Sequence, residues 1–128
     1  MPKLVAYDIK LVVNAGGLDP LGLKLAIEAL ASQLSLPTVR VAALHGDDIH
    51  SSYRTLKDTP GAIAGFSPFG DSEGARVEEK ESLNDFLSVN AYVGAGGICE
   101  ALAKGATIVV TGRCVDSALV LGPCLHAL

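Results

Sequence analysis

Three polar clusters carry the side chains that could bind or transform a small molecule. The densest is Thr111-Gly112-Arg113 with Asp116 and Ser117 just beyond, set in an otherwise apolar region. Arg113 could clamp a carboxylate or phosphate with its planar fork. It could equally pair with Asp116 as a salt bridge at a helix start. The second cluster is Asn14-Ala15-Gly16-Gly17, between an apolar run and a helix start. Glycines there let the backbone approach an anion, which free N–H groups and the helix dipole attract. The same glycines suit a tight turn with positive φ and no ligand at all. The third is His45-Gly46-Asp47-Asp48. Its carboxylates could hold a ribose, as in a doubly wound fold, or a metal together with His45, or merely cap a helix.

Gly94-Ala95-Gly96-Gly97 has the composition of a phosphate loop but lacks the Lys-Ser/Thr of a P-loop. Close packing of a helix against a sheet explains it as well. Asn90 and Tyr92, just before it, are better placed for side-chain contacts. No second ligand cluster completes a metal site, so none is expected, and no cofactor can be named. Ser117 is not in a nucleophile elbow and His126 lies further along the same helix, so a Ser-His hydrolase fails on geometry. No strand is followed by GxGxxG, which disfavours an NAD-type dehydrogenase. Cys99, Cys114 and Cys124 read as small core residues. Cys114, beside Arg113 near a helix start, is the one whose reactivity that position could raise.

The elements that must position these clusters follow from periodicity. Tyr7–Val13 reads as a strand, starting almost directly from the N-terminus. Asp19 fits an N-cap and Pro20 the first helical position. Leu23, Ala26, Ile27, Leu30 and Leu34 keep helical spacing through Leu36, and Pro37 stops that helix. Val39–Leu44 is a second strand, which makes a βαβ pattern with the first. Ile49–Lys57 reads as a short helix and Phe86–Val89 as a short strand. Between them, residues 58–83 form a long loop or excursion, rich in Gly, Ser, Pro and charge, with minor apolar contacts through Phe66 and Phe69. A helix with Ile98, Ala101 and Leu102 inward ends before Gly105, a suitable C′ residue. Thr107–Val110 is apolar without alternation, as in a strand buried on both faces. A last helix starts near Val115. The expected fold is α/β: an open, mostly parallel sheet of about three to four strands flanked by helices in a Rossmann-like three-layer arrangement.

The bulk numbers agree. The chain has 128 residues, 49% hydrophobic and 19% charged, enough for one cored domain. Aromatic residues are only 5%, so Ala, Val, Leu and Ile must build the core. A net charge of −4 leaves no cationic footprint for nucleic acid or a polybasic membrane contact. A small anionic ligand remains compatible, since one arginine and helix N-termini suffice. Apolar runs fall short of the roughly 20 residues that span a bilayer. The odd cysteine count, without CxxC spacing or a leader, points to a reduced, cytoplasmic setting.

Several stretches together resemble the N-terminal domain of the acyclic terpene utilisation (AtuA-like) family: VVNAGGLDPLG, HGDD, GFSPFG, SVNAYVGA and GATIVVTGRCVDSALVLGP. GFSPFG and SVNAYVGA look more like the fungal than the bacterial members. The order and spacing match over nearly the whole chain. The resemblance implies a role in catabolism of acyclic terpenes such as citronellol and geraniol, in the company of acyl-CoA carboxylases. It assigns no reaction. The ligand-binding residues it implies are Asn14, Gly16, Gly17, Asp47, Asp48, Asn90, Tyr92, Gly94, Thr111, Gly112, Arg113 and Asp116. Relatives carry a further strand–helix region before Tyr7 and a His-, Cys- and Gly-bearing segment after the last helix, and they place aliphatic residues at Cys114 and Cys124. Residues 1–128 are therefore expected to be a partial domain, incomplete at both ends. Its exposed sheet edges would favour self-association or pairing with a full-length paralogue. Two functions follow: binding of an anionic small molecule such as a terpenoid acyl-CoA, or a non-catalytic interaction module.

Overall fold

The computed structural model describes residues 1–60 and 87–128. They fall into two compact units: Met1–Asp47 with Ala91–Leu128, and Asp48–Asn90. The expected contacts of Phe66 and Phe69 lie outside the described residues.

The first unit is an open parallel sheet wound by helices. Helix α1 (Pro2–Ala6) leads to strand β1 (Leu11–Val13), helix α2 (Pro20–Gln33) and strand β2 (Val41–Leu44). Helix α4 (Gly96–Ala103), strand β3 (Ile108–Thr111) and helix α5 (Ala118–Ala127) complete it. All pairings are parallel, in the order β1-β3-β2. The last strand in sequence therefore lies between the first two. Ile108 sits level with Leu11 on one side and Val41 on the other.

Both faces of the sheet are covered, and strand alternation divides the core. Val13, Val41, Ile108 and Val110 join Ala31, Val39, Leu23 and Ile27 on the α2 side. Val12, Ala42, Leu44 and Val109 join Ile98, Leu102 and Ala118 on the α4–α5 side. Ile108, Val109 and Val110 are fully buried, each contributing about 1.5–3 kcal/mol by leaving water. Gly122 lets α5 approach α4 closely, since a Cβ there would lie 2.6 Å from Ile98.

The helix ends are written in the sequence to different degrees. Asp19 caps α2 and accepts a hydrogen bond from the Gly22 N–H at 2.7 Å, with Pro20 next. Gly105 terminates α4 at φ 82, and the N–H of Ala106 returns to the Ala101 carbonyl. The same closure ends α2 earlier than Leu36. Ser35 takes the left-handed conformation at φ 54, and the Leu36 N–H bonds the Ala31 carbonyl. The N-terminal expectation needs correction. Tyr7–Val13 is not one strand: Pro2 starts α1, Asp8 reverses the chain at φ 50, and β1 begins only at Leu11.

In the second unit, helix α3 (His50–Asp58) appears as expected. Asp48 and Asn90 form an isolated antiparallel bridge, and the Ile49 N–H bonds the Val89 carbonyl. Leu87–Val89 are not a strand, and Phe86 lies outside the described residues.

Candidate functional site

Because the strands are parallel, their carboxyl ends gather along one edge of the first unit. β1 delivers Asn14–Gly17 there, β2 delivers His45–Asp47, and β3 delivers Gly112 and Arg113. Hydrogen bonds tie these turns together. The Gly16 N–H reaches the Thr111 carbonyl at 3.1 Å, and the Gly112 N–H reaches the Leu44 carbonyl at 3.1 Å. Asn14 Nδ2 donates to Asp116 Oδ1 at 3.4 Å, closing the gap from β1 to the start of α5.

Asp47 organises the middle of this edge. It is 4% exposed, and its Oδ2 accepts the Arg113 N–H at 2.8 Å. Its carbonyl accepts the Ala91 N–H at 2.7 Å. The next turn of chain is held by Val93 N–H to the Arg113 carbonyl and Val115 N–H to the Val93 carbonyl, both at 3.1 Å. Tyr92, 63% exposed, is carried between these bonds. Gly112 is required here, because a Cβ would overlap the Asp47 carboxylate. Gly16 is required for a similar reason: its Cβ would lie 2.5 Å from the Thr111 carbonyl and 2.7 Å from Pro20.

The structure thus gathers Asn14, Gly16, Gly17, Asp47, Tyr92, Thr111, Gly112, Arg113 and Asp116 along one edge, in unequal roles. Thr111 is fully buried, with its hydroxyl 3.0 Å from the Gly112 carbonyl and 3.3 Å from Cys114 Sγ. Asp47 is spent on the backbone of Arg113. Arg113, Asn14, Asp116 and Tyr92 are the exposed members. Asp116 takes its hydrogen bond from Asn14, and the Arg113–Asp116 ion pair, one of the two readings of this cluster, is absent among the described residues. Asp48 and Asn90 belong to the second unit, where the Asp48 carboxylate accepts the His50 N–H at 2.9 Å, the first of α3. Cys114 is a buried core residue, as expected, whereas Cys124 is exposed.

Gly94, one residue beyond Val93, borders a groove that shares His45 with the edge turns. With Gly96, Gly97, Arg40, His45 and Lys104 it lines this open groove of 680 Å³ between β2 and α4. A Cβ on Gly97 would overlap the Leu44 side chain, so this glycine serves helix–sheet packing. On the groove wall, Lys104 Nζ donates to Glu100 Oε1 at 2.6 Å. That hydrogen bond and the attraction of the ammonium hold the Glu100 carboxyl below its ordinary value. Arg40, Glu100 and Lys104 were not candidates from sequence. The available signal was an arginine opening an apolar strand and a glutamate four residues before a lysine.

An open parallel sheet, helices on both faces and polar turns at the strands' carboxyl ends define a doubly wound α/β domain. Domains of this class generally bind ligands outside those ends. The chain belongs to the acyclic terpene utilisation family: the description "Acyclic terpene utilisation family protein AtuA" matches residues 1–128. No curated protein and no solved structure matches it. No helix among the described residues is long and apolar enough to cross a membrane.

Proposed function

We propose that this terpene-utilisation domain binds an anionic small molecule, a terpenoid acyl-CoA or close analogue, at the carboxyl edge of its sheet. The observation that carries the reading is Arg113. Its backbone is fixed on both sides, by Asp47 at the N–H and by Val93 at the carbonyl, while its side chain is exposed. Among the described residues its guanidinium has no ion-pair partner. A guanidinium held this way can take a phosphate or carboxylate through two parallel N–H bonds. The start of α2 is a weaker anion site than its glycines suggest, because the Asp19 carboxylate already occupies it. Asn14, Asp116 and Tyr92 would then contact the uncharged part of the ligand.

Calorimetric titration of the chain with a branched ten-carbon acyl-CoA, and with free coenzyme A, tests this. Saturable binding that Arg113→Ala weakens by about tenfold or more is expected, from the loss of a charge-assisted pair. Binding that ignores Arg113→Ala, or no binding at all, would sink the reading. The alternative, a non-catalytic interaction module, draws on the outer face of α5, where Val120, Leu121 and Leu125 are exposed. Capture of a longer family member by the ligand-free chain would favour it.

A further inference from the structure

The groove beside β2 borders a strand edge that no strand among the described residues pairs with. In a parallel ladder, successive residues turn their backbone groups to opposite sides. The Arg40 carbonyl accepts from the N–H groups of Thr107 and Ile108 at 2.8 and 3.0 Å. The Leu44 carbonyl accepts from Gly112. Arg40, Ala42 and Leu44 therefore face β3, and the N–H and C=O of Val41 and Ala43 face outward. No strand among the described residues pairs with them. Among the described residues no proline or bulge interrupts this edge, and its one charged residue, Arg40, stands at its start; such edges invite another strand.

The groove's other wall states what kind of strand. Gly97, Glu100 and Ala101 on α4, with Lys104 at its C-cap, recur at helical spacing and line the groove. Gly97 and Ala101 keep the wall low. Glu100 and Lys104 put opposite charges on it, and their side chains are 67% and 74% exposed. Helix α4 runs antiparallel to β2: Gly97 packs on Leu44, and Gly105 packs on the Arg40 guanidinium. A point level with Ala42 on the strand thus falls between Glu100 and Lys104 on the helix.

We propose that this groove receives β2 of a second copy of the chain, antiparallel, about a two-fold axis through Ala42. The outward groups of Val41 then pair with those of Ala43 in the second copy, and the reverse, which satisfies all of them. The same axis sets each Glu100 opposite the second copy's Lys104. A wall carrying both signs is self-complementary only in this antiparallel sense, and a two-fold interface requires that self-complementarity. A peptide of one sign would meet both favourable and unfavourable charges, since Glu100 is anionic and Lys104 and Arg40 are cationic. The proposal does not depend on the ligand reading for Arg113.

Sedimentation equilibrium of the full chain over a concentration series is the test, with circular dichroism to confirm folding. A dimer is expected. Glu100→Lys and Lys104→Glu each place like charges across the axis and should weaken it by about tenfold or more. Both side chains are exposed, so the fold should tolerate either change. An equimolar mixture of the two variants restores opposite charges at the interface and should recover dimer that neither forms alone. The double exchange in one chain should recover it too. A chain that stays monomeric throughout, or a dimer indifferent to both single reversals, would overturn the proposal. Indifference would point instead to another surface, such as the exposed leucines of α5.

Discussion

The turn after β3 and the loop before α4 are both glycine-bearing, yet they are built on opposite principles. At Gly112 the glycine exists because a buried carboxylate must come within bonding distance of the next N–H. At Gly94 and Gly96 a Cβ would meet nothing within 4 Å. The first turn is locked by neighbours 66 residues away in sequence; the second stands open above a groove. Glycine content alone therefore separates neither a rigid edge from an open loop nor a structural glycine from one that admits a ligand. What separates them is whether another part of the chain already occupies the space.

The largest effect that this contrast predicts is at Gly112→Ala. The added methyl would press on the Asp47 carboxylate, which is buried and cannot swing into solvent. Overpacking of this kind costs about 1–3 kcal/mol, and the Arg113 N–H loses its acceptor if Asp47 moves. Urea unfolding should show that loss, and Arg113-dependent ligand binding should weaken with it. A variant as stable as the parent would mean that Asp47 does not hold the edge.

A smaller effect is expected where the two helix starts are compared. Asp19 caps α2 with its side chain, whereas Ala95 gives α4 no side-chain cap. Asp19→Ala should cost about 1 kcal/mol, the usual value of a lost N-cap. It should also remove a carboxylate from the turn bearing Gly16 and Gly17, so anion affinity at the edge should rise while stability falls. Thermal melts and the acyl-CoA titration would report the two changes separately. A fall in both would show that the cap orders the edge more than its charge repels the ligand.

The parts of this architecture legible in the sequence were those fixed locally. Asp19-Pro20, Gly105 and the unbroken Ile108-Val109-Val110 each encode their structure within a few residues. Close packing was one of two readings of Gly94–Gly97 as a stretch; it fits Gly97, against Leu44, and not Gly94 or Gly96. What escaped was set by distant partners. Insertion of β3 between β1 and β2 depends on which strands pair, which no local pattern states. Asp8 and Ser35 take left-handed turns that glycine usually marks, so α1 was missed, β1 was begun too early at Tyr7, and α2 was read as too long. Among the candidate site residues, sequence grouped Asp47 with Asp48, but the structure divides them. One is buried and accepts the Arg113 N–H, and the other accepts the His50 N–H at the start of α3.

The smallest predicted change sharpens the comparison most, because its sign should be opposite. Gly94→Ala adds a methyl into open space at a glycine outside the left-handed region. With no clash, the main effect is on the unfolded chain, which loses conformational freedom. The variant should be stabilised by about 0.4–1 kcal/mol, against a loss of a few times that at Gly112. Paired urea titrations would resolve the difference. Ligand binding at Arg113 should be unchanged by Gly94→Ala, since this glycine lines the groove and not the edge turns. If instead Gly94→Ala abolishes binding without destabilising the fold, the ligand runs from the strand ends into the β2–α4 groove. In that case the open loop, rather than the locked turn, sets what the domain accepts.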